Sequence, residues 1–456
     1  MFASVAACTL LVWSPVAAQD ALDTQSQASS ASEAASEPET SATASTTSQI
    51  VIQHLRPADQ RGVRMFEAPK NDGVPFTGFR IDWSAAFAQQ FQGLDHSNDA
   101  LANPNANGVD QNQLYDMGAG FNTAAANLGL NIQVAPGIRV ALTAYLSSKH
   151  HNEAWVKDGY FLMDASPIDV PVLKAAMEYL TVKVGHFEID YGDAHYRRSD
   201  NGNAMYNPFV GNLIMDAFTT QVGGHVYFRN DMGLIAMGGI TGGEIKGEIR
   251  APDSRAPAYL AKLGFDRQIN EDLRVRLMGS FFDQDRALNN TLYSGDRAGS
   301  RYNFVLENTL ASGTGNAWSG NLNPGFRNEV QAVMVNPYVE FGGLELFGTW
   351  ERSTGRAHGE AQDREWRQYA GDVVYRFLEN ESVYVAGRYN VAEGELAGIA
   401  DEVSVDRVQI GGGWFVTPTV LFKAEWVNQT YNDFPATDIR SDAQFDGFML
   451  EGVVAF

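Results

Sequence analysis

The sequence predicts an all-β protein: a transmembrane, antiparallel, up-and-down β-barrel of sixteen strands, with 14 or 18 as the alternative counts. Three observations predict it. A period-two apolar alternation repeats from Val74 to the last residue, the connections alternate between tight turns and long polar loops, and past residue 20 no run of about 18 apolar residues could cross a bilayer as a helix. The chain has 456 residues and a formal net charge of −22. No nucleic-acid partner is expected, because phosphate binding needs a basic face. With 44% hydrophobic and 19% charged residues a wholly disordered chain is excluded. A mean hydropathy of −0.24 leaves no room for a bundle of membrane helices.

The first element is an address. Residues 2 to 18 are uncharged, and Leu10, Leu11, Val12 and Trp13 are followed by Pro15 and the small residues Val16, Ala17 and Ala18. This is the pattern of a signal peptide, residues 1–18, cleaved after Ala18. Cys8 is the only cysteine, and it precedes the apolar run, which argues against lipidation. The mature chain then has no disulfide and no thiolate metal site. Residues 19–48 are Ser, Ala, Thr and Gln with five acids, a composition that buries too little apolar area to order itself, so a disordered acidic tail is expected. Residues 49–76, with Ile50-Val51-Ile52, Pro57, Pro69 and Pro75, form a transition or plug segment, and composition leaves open whether it enters the lumen. The barrel occupies residues 77–456.

Along the first strand Phe79, Ile81, Trp83, Ala85 and Phe87 alternate with Arg80, Asp82, Ser84 and Ala86. One face of a pleated ribbon is thus apolar. The same reading places strands near 79–91, 117–134, 137–149, 154–164, 179–191, 217–229, 233–245 and 258–268. It continues with 273–284, 330–341, 344–355, 365–377, 383–394, 403–416, 420–431 and 445–456. Pro136-Gly137, Asn230-Asp231, Asn270-Glu271, Gly342-Gly343 and Thr417-Pro418 are tight turns, whereas 92–116, 192–216, 285–329 and 432–444 are long and polar. Short turns at one rim and long loops at the other suit a barrel of the bacterial outer membrane. One short-side link, 165–178, is apolar enough to hold a helical turn. Trp83, Trp350, Trp414, Trp426, Phe422 and Tyr375 lie on the apolar face, which suits lipid better than the outside of a soluble sandwich.

Sixteen strands enclose more space than their own side chains fill, so a water-filled lumen is expected. Strand parity turns Gln221, His225, Arg229, Arg274 and Arg276 inward, then Glu345, Glu351, Asp372, Arg376 and Arg388, then Arg407, Lys423 and Glu425. A dry core could not hold so many ionisable groups. In the last strand Phe448, Leu450, Gly452 and Val454 alternate up to Phe456, which resembles the C-terminal insertion signal of Gram-negative barrels.

Residues 185–210 read GHFEIDYGDAHYRRSDNGNAMYNPFV. This stretch resembles the fifth strand and inward-folded third loop of phosphate-selective (O and P type) porins, carried by Gly185, Phe187, Asp190, Tyr191 and Gly192. The resemblance implies a constriction loop bearing Asp193, His195, Arg197, Arg198 and Asp200, beside Glu188 on the lumen wall. It also implies a homotrimer, contact with outer-membrane lipid and lipopolysaccharide, and insertion by the barrel-assembly machinery. The departure is in charge: that family draws anions along stacked arginines and lysines, whereas here acids and bases mix. A mixed eyelet gives a transverse field suited to small polar solutes. The other reading is that Arg197 and Arg198 pin the loop to wall carboxylates such as Glu188.

No Gly-x-Ser-x-Gly, Ser-x-x-Lys, His-Glu-x-x-His or phosphate-loop motif occurs. His150-His151 with Glu153 reads as a solvated tip, and Asn103-x-Asn105-x-Asn107-Gly108-x-Asp110 lacks the bidentate Glu of a calcium loop, having Leu114 at its twelfth position. No cofactor, no metal and no catalysis are expected. The expectation is a porin passing small hydrophilic solutes or ions, with the preferred solute and the sign of selectivity left open. The alternative is a ligand-binding or adhesive barrel working through loop 285–329, with Tyr293, Tyr302, Phe304 and Trp318. An outer-membrane enzyme ranks lower, since no serine is spaced to partner His186, His195 or His225.

Overall fold

The computed structural model describes residues 52–70, 72–148, 155–245, 249, 255–294, 301–312 and 320–456. The expected signal peptide, the acidic tail, the His150-His151-Glu153 tip and Trp318 lie outside the described residues. The strands are β1 (Arg80–Ser97), β2 (Gly120–Ala135), β3 (Ile138–Ser147), β4 (Trp155–Met163), β5 (Leu180–Glu188), β6 (Thr220–Arg229), β7 (Leu234–Thr241) and β8 (Ala258–Gln268). They continue as β9 (Leu273–Gln284), β10 (Glu329–Phe341), β11 (Leu344–Arg356), β12 (Arg364–Phe377), β13 (Val383–Gly394), β14 (Val403–Thr417), β15 (Val420–Asn432) and β16 (Gln444–Ala455). Each pairs antiparallel with its sequence neighbours, and β1 closes on β16. The helical turn in the link between β4 and β5 is α1 (Pro171–Met177), with proline where a missing N–H costs nothing.

β1 runs six residues beyond its expected end. Its inward face near that end carries Gln90, Gln92, Leu94 and His96, and Gln90 Nε2 donates to Glu451 Oε1 at 2.7 Å, so the ladder continues where the apolar alternation is broken. The seam closes at the other rim through the two reciprocal backbone hydrogen bonds of Ala85 and Phe456, each 2.9 Å. The outer wall is apolar: Trp83 is 64% exposed and Trp414 54%, with Phe422, Trp426 and Tyr375 alongside. In water such a surface would aggregate; against lipid it is the favourable face.

Pro337 sits inside β10 and cannot donate to the ladder. Pairing with β11 lapses at residues 336–337, and Asn336 Nδ2 donates instead to Gly348 O and Thr349 Oγ1, both at 3.1 Å. The same side chain's Oδ1 accepts from Asp193 N–H at 2.7 Å, which ties a lumen loop to the wall.

Candidate functional site

The loop that follows β5, residues 189–219, turns into the lumen at Gly192. Its φ of +72° is open to glycine without strain, and a Cβ there would overlap the sulfur of Met334. The loop then crosses to the opposite wall. Val210 and Gly211 N–H donate to Glu425 at 2.7 and 3.2 Å, Ile214 N–H to Asn390 at 2.7 Å, and Met215 N–H to Gln368 at 2.8 Å. Its middle returns to β1 and β2, where Asn127 Nδ2 donates to Asp200 O at 3.1 Å and a Cβ on Gly202 would strike the backbone of Ala86 and Ala126.

The loop between β9 and β10 folds in above it. Tyr302 OH donates to Glu425 at 2.5 Å, Tyr293 OH to Glu351 at 2.8 Å, and Leu322 N–H to Ile214 O at 2.8 Å. Val210, Ile214, Met215, Leu292, Val305 and Phe326 pack with Phe282, Trp366, Val405 and Phe445 of the wall into a buried apolar core. The lumen beside β7 to β16 is therefore largely filled, which an open central pore would not require.

Among the described residues, an open space lies to one side, against β2 to β6. It is a cavity of about 350 Å³ walled by Asn127, Asn131, Arg139, Thr143, Lys157, Tyr160 and Lys183. Loop residues Asp190, His195, Tyr196 and Tyr206 close it on the inside, and His54, Arg56, Glu67 and Lys70 close it toward the short turns. Among its lining residues six are Lys or Arg and four are Asp or Glu, namely Glu67, Asp158, Glu188 and Asp190. Several of the bases are already engaged: Lys157 pairs with Asp200, and Arg229 lies 3.4 Å from Glu67. Lys183 makes no ion pair among the described residues, and its ammonium rests over the rings of Tyr160 and Phe187, 4.2 and 4.3 Å from their centroids.

Of the five loop residues singled out from sequence, His195 lines this cavity, while the others are held in buried pairs. Asp193 accepts two hydrogen bonds from Arg276, both 2.7 Å, and lies 2.9 Å from Lys262. Arg197 pairs with Glu345 at 2.9 Å, Arg198 with Asp216 at 2.5 Å, and Asp200 with Lys157. Of the wall residues, Glu188 lines the cavity. Arg274 pairs with Asp266 at 2.7 Å and Arg388 with Asp372 at 2.6 Å, while Arg376 pairs with Glu345. Arg407 donates to Gln429 and to Asn212 O, both at 2.5 Å; Lys423 pairs with Glu451 and donates to Ala204 O and Phe209 O. His225 is buried edge-on against Phe187, 4.8 Å between ring centroids.

Sequence reasoning did not single out Lys262, Lys183, Arg139 or Lys157. Strand parity carried the signal, since Lys262 of β8 shares its face with the buried Ala258 and Leu260, and Arg139, Lys157 and Lys183 stand on β3, β4 and β5, ahead of the first inward residues named from β6. Arg64 and Glu67 had no such signal, because the segment that bears them has no period.

His195 lies 2.7 Å from Glu188 and 3.0 Å from Asp190. Burial opposes its charge, but the Glu188 carboxylate and the hydrogen bond from the ring to Asp190 outweigh burial and raise its pKa above the ordinary imidazole value. For Asp190 burial is likewise the largest opposing effect, and Lys262 with His195 still holds it well below the usual carboxylate range. A raised pKa means that the stabilising contact is complete below the unfolded value of about 6.5 and is lost as pH climbs through the raised one. Protease resistance of the loop is thus expected to fall from neutral to alkaline pH, and His195→Gln is expected to flatten that profile. An unchanged slope in the variant would contradict the assignment.

No family profile matches the chain, and no curated protein matches it in sequence. Solved structures do match its fold. The anion-selective porin from Comamonas acidovorans aligns at 11% identity with a TM-score of 0.50, over 83% of this chain and 100% of the porin. The outer membrane channel DcaP of Acinetobacter baumannii aligns at 9% identity and 0.50, over 84% and 99%. OmpT, an outer membrane protein of Vibrio cholerae, aligns at 12% identity and 0.48, over 83% and 100%. The chain, a closed barrel of sixteen strands, shares its fold with the first two of these outer-membrane proteins. That fold and the apolar outer wall make it a protein of the bacterial outer membrane.

Proposed function

We propose that the chain is a porin that lets small hydrophilic solutes or ions diffuse passively along the β2 to β6 side of its lumen. The polar cavity of about 350 Å³ between that wall and loop 189–219 is the observation that carries this reading. Such lining keeps solutes hydrated or replaces their water with fixed donors and acceptors. On this reading His195, Glu188 and Lys183 face the passage, while Arg197, Arg198, Asp193 and Asp200 hold the constriction loop in place. The resemblance of residues 185–210 to phosphate-selective porins, and the six basic against four acidic lining groups, favour anions. Assembly as a homotrimer, contact with lipopolysaccharide, and insertion by the barrel-assembly machinery through Phe456 belong to the same proposal.

The experiment is single-channel recording in a planar bilayer across a tenfold KCl gradient. Stepwise conductance with an anion-directed reversal potential is expected, and Lys183→Glu is expected to move that potential toward cations. A silent protein, or a variant with an unmoved potential, would contradict the passage or its lining respectively.

A further inference from the structure

Residues 52–70 lie across the short-turn mouth of the barrel, the periplasmic rim in outer-membrane barrels. Arg64 meets three carboxylates from three elements: Glu345 of β11 at 2.9 Å, Glu340 of β10 at 3.1 Å, and Glu381 beyond β12 at 2.9 Å. Three residues on, Glu67 meets three cations: Arg276 of β9 at 2.8 Å, Lys262 of β8 at 3.3 Å, and Arg229 of β6 at 3.4 Å. Between them Phe66 stands edge-on to Tyr338, 5.2 Å between centroids, under the guanidinium of Arg276.

Backbone ties are sparse by comparison. Gln60 N–H to Pro418 O, at 2.9 Å, is the backbone-to-backbone hydrogen bond between this segment and the wall among the described residues. Every wall strand, by contrast, is laddered on both edges. The stretch leading to β1 turns at Gly73 and Gly78, with φ of +73° and +127°, on either side of Pro75. The nine residues 71–79 reach at most about 30 Å when extended, enough to carry the segment clear of the mouth. The remaining ties run through side chains: His54 pairs with Asp164 at 2.6 Å, Lys70 donates to Leu180 O at 2.7 Å, Arg56 to Tyr196 O at 3.0 Å, and Tyr206, Arg229 and Arg274 donate to carbonyls of the segment. A segment held by side chains, with its two central charges each in a socket of the other sign, can leave without breaking a strand pair.

We propose that residues 52–70 are a reversible plug, an autoinhibitory segment of this chain docked in a bipolar ionic socket, whose release opens the lateral cavity at the short-turn rim. The proposal rests on reading that cavity as a passage. Two variants of the full chain test it in planar bilayers, both with Cys8→Ser and both checked for a folded barrel by heat-dependent gel mobility. Gln60→Cys with Pro418→Cys places two thiols where the backbones already touch, within disulfide reach. Arg64→Glu with Glu67→Arg puts like charges in both sockets.

Mean conductance is expected to rise about twofold or more when the cysteine pair is reduced, and the charge-reversed chain is expected to match the reduced state without reductant. Equal conductance in oxidised, reduced and charge-reversed chains would overturn the plug and leave the passage standing. Silence in all three, with folded barrels, would overturn both.

Discussion

Glu345→Ala is expected to destabilise the lumen contacts by about 3 to 5 kcal/mol, the usual cost of removing one partner from a buried ion network. Glu345 is fully buried and is shared by Arg197 of the constriction loop, Arg376 of β12 and Arg64 of the N-terminal segment. Its loss leaves three guanidinium groups facing one another. Among the described residues Arg197 Nε and Nη2 have no hydrogen-bond partner, so without Glu345 its guanidinium keeps only the rings of Tyr338 and Phe347, 5.6 and 5.2 Å away. Because the strands keep their ladders, the expected outcome is an intact barrel whose residues 189–219 become protease-sensitive. Glu345→Gln should lie between the two, since it keeps the shape and loses the charge. Unaltered protease resistance in the alanine variant would contradict the placement of this carboxylate at the centre of the network.

Lys262→Met is expected to have the next largest effect, and one that spreads across two segments. The ammonium lies 2.6 Å from Asp190, 2.9 Å from Asp193 and 3.3 Å from Glu67, so it joins the start of the constriction loop to the N-terminal segment. Removal leaves Arg276 as the main counter-charge to a cluster of carboxylates, again a loss of about 3 kcal/mol. Adding Glu67→Gln relieves one of those carboxylates. The double variant should therefore be less destabilised than the sum of the singles, by about 0.5 to 3 kcal/mol in denaturant titration. Strict additivity would mean that the loop and the segment are not coupled through this lysine.

Much of the barrel was legible in the sequence because its physics is local. In β15, Phe422 points to lipid and Lys423 to the lumen, and that alternation is set by the pleat alone. The strand count, the closure of β1 on β16 and the turn at 165–178 follow from the same kind of signal. β1 runs six residues past its expected end because Gln90 and Gln92 break the apolar alternation of its lumen face before Leu94, and the pairing with β16 sustains the strand there. The site was less legible. Arg64, Arg197 and Arg376 meet on Glu345 from positions far apart in the chain, and Tyr191 and Tyr293 meet on Glu351 in the same way. Spacing cannot state such meetings. The apolar core between the lumen loops and the wall was likewise hidden, since its loop residues, such as Val210 and Ile214, show neither helical nor strand period.

The central claim is that solute passes beside β2 to β6 and not through the middle of the barrel. The most direct measurement is thiol accessibility during single-channel recording, in a Cys8→Ser background, with Asn131→Cys on the cavity wall and Asn390→Cys on the filled side. Asn131 lines the cavity, whereas Asn390 is buried beneath the loop, where its Oδ1 accepts from Ile214 N–H. A charged thiol reagent is expected to reduce the current through the Asn131→Cys channel and to leave the Asn390→Cys channel unchanged. Block at Asn390→Cys with none at Asn131→Cys would contradict a lateral passage.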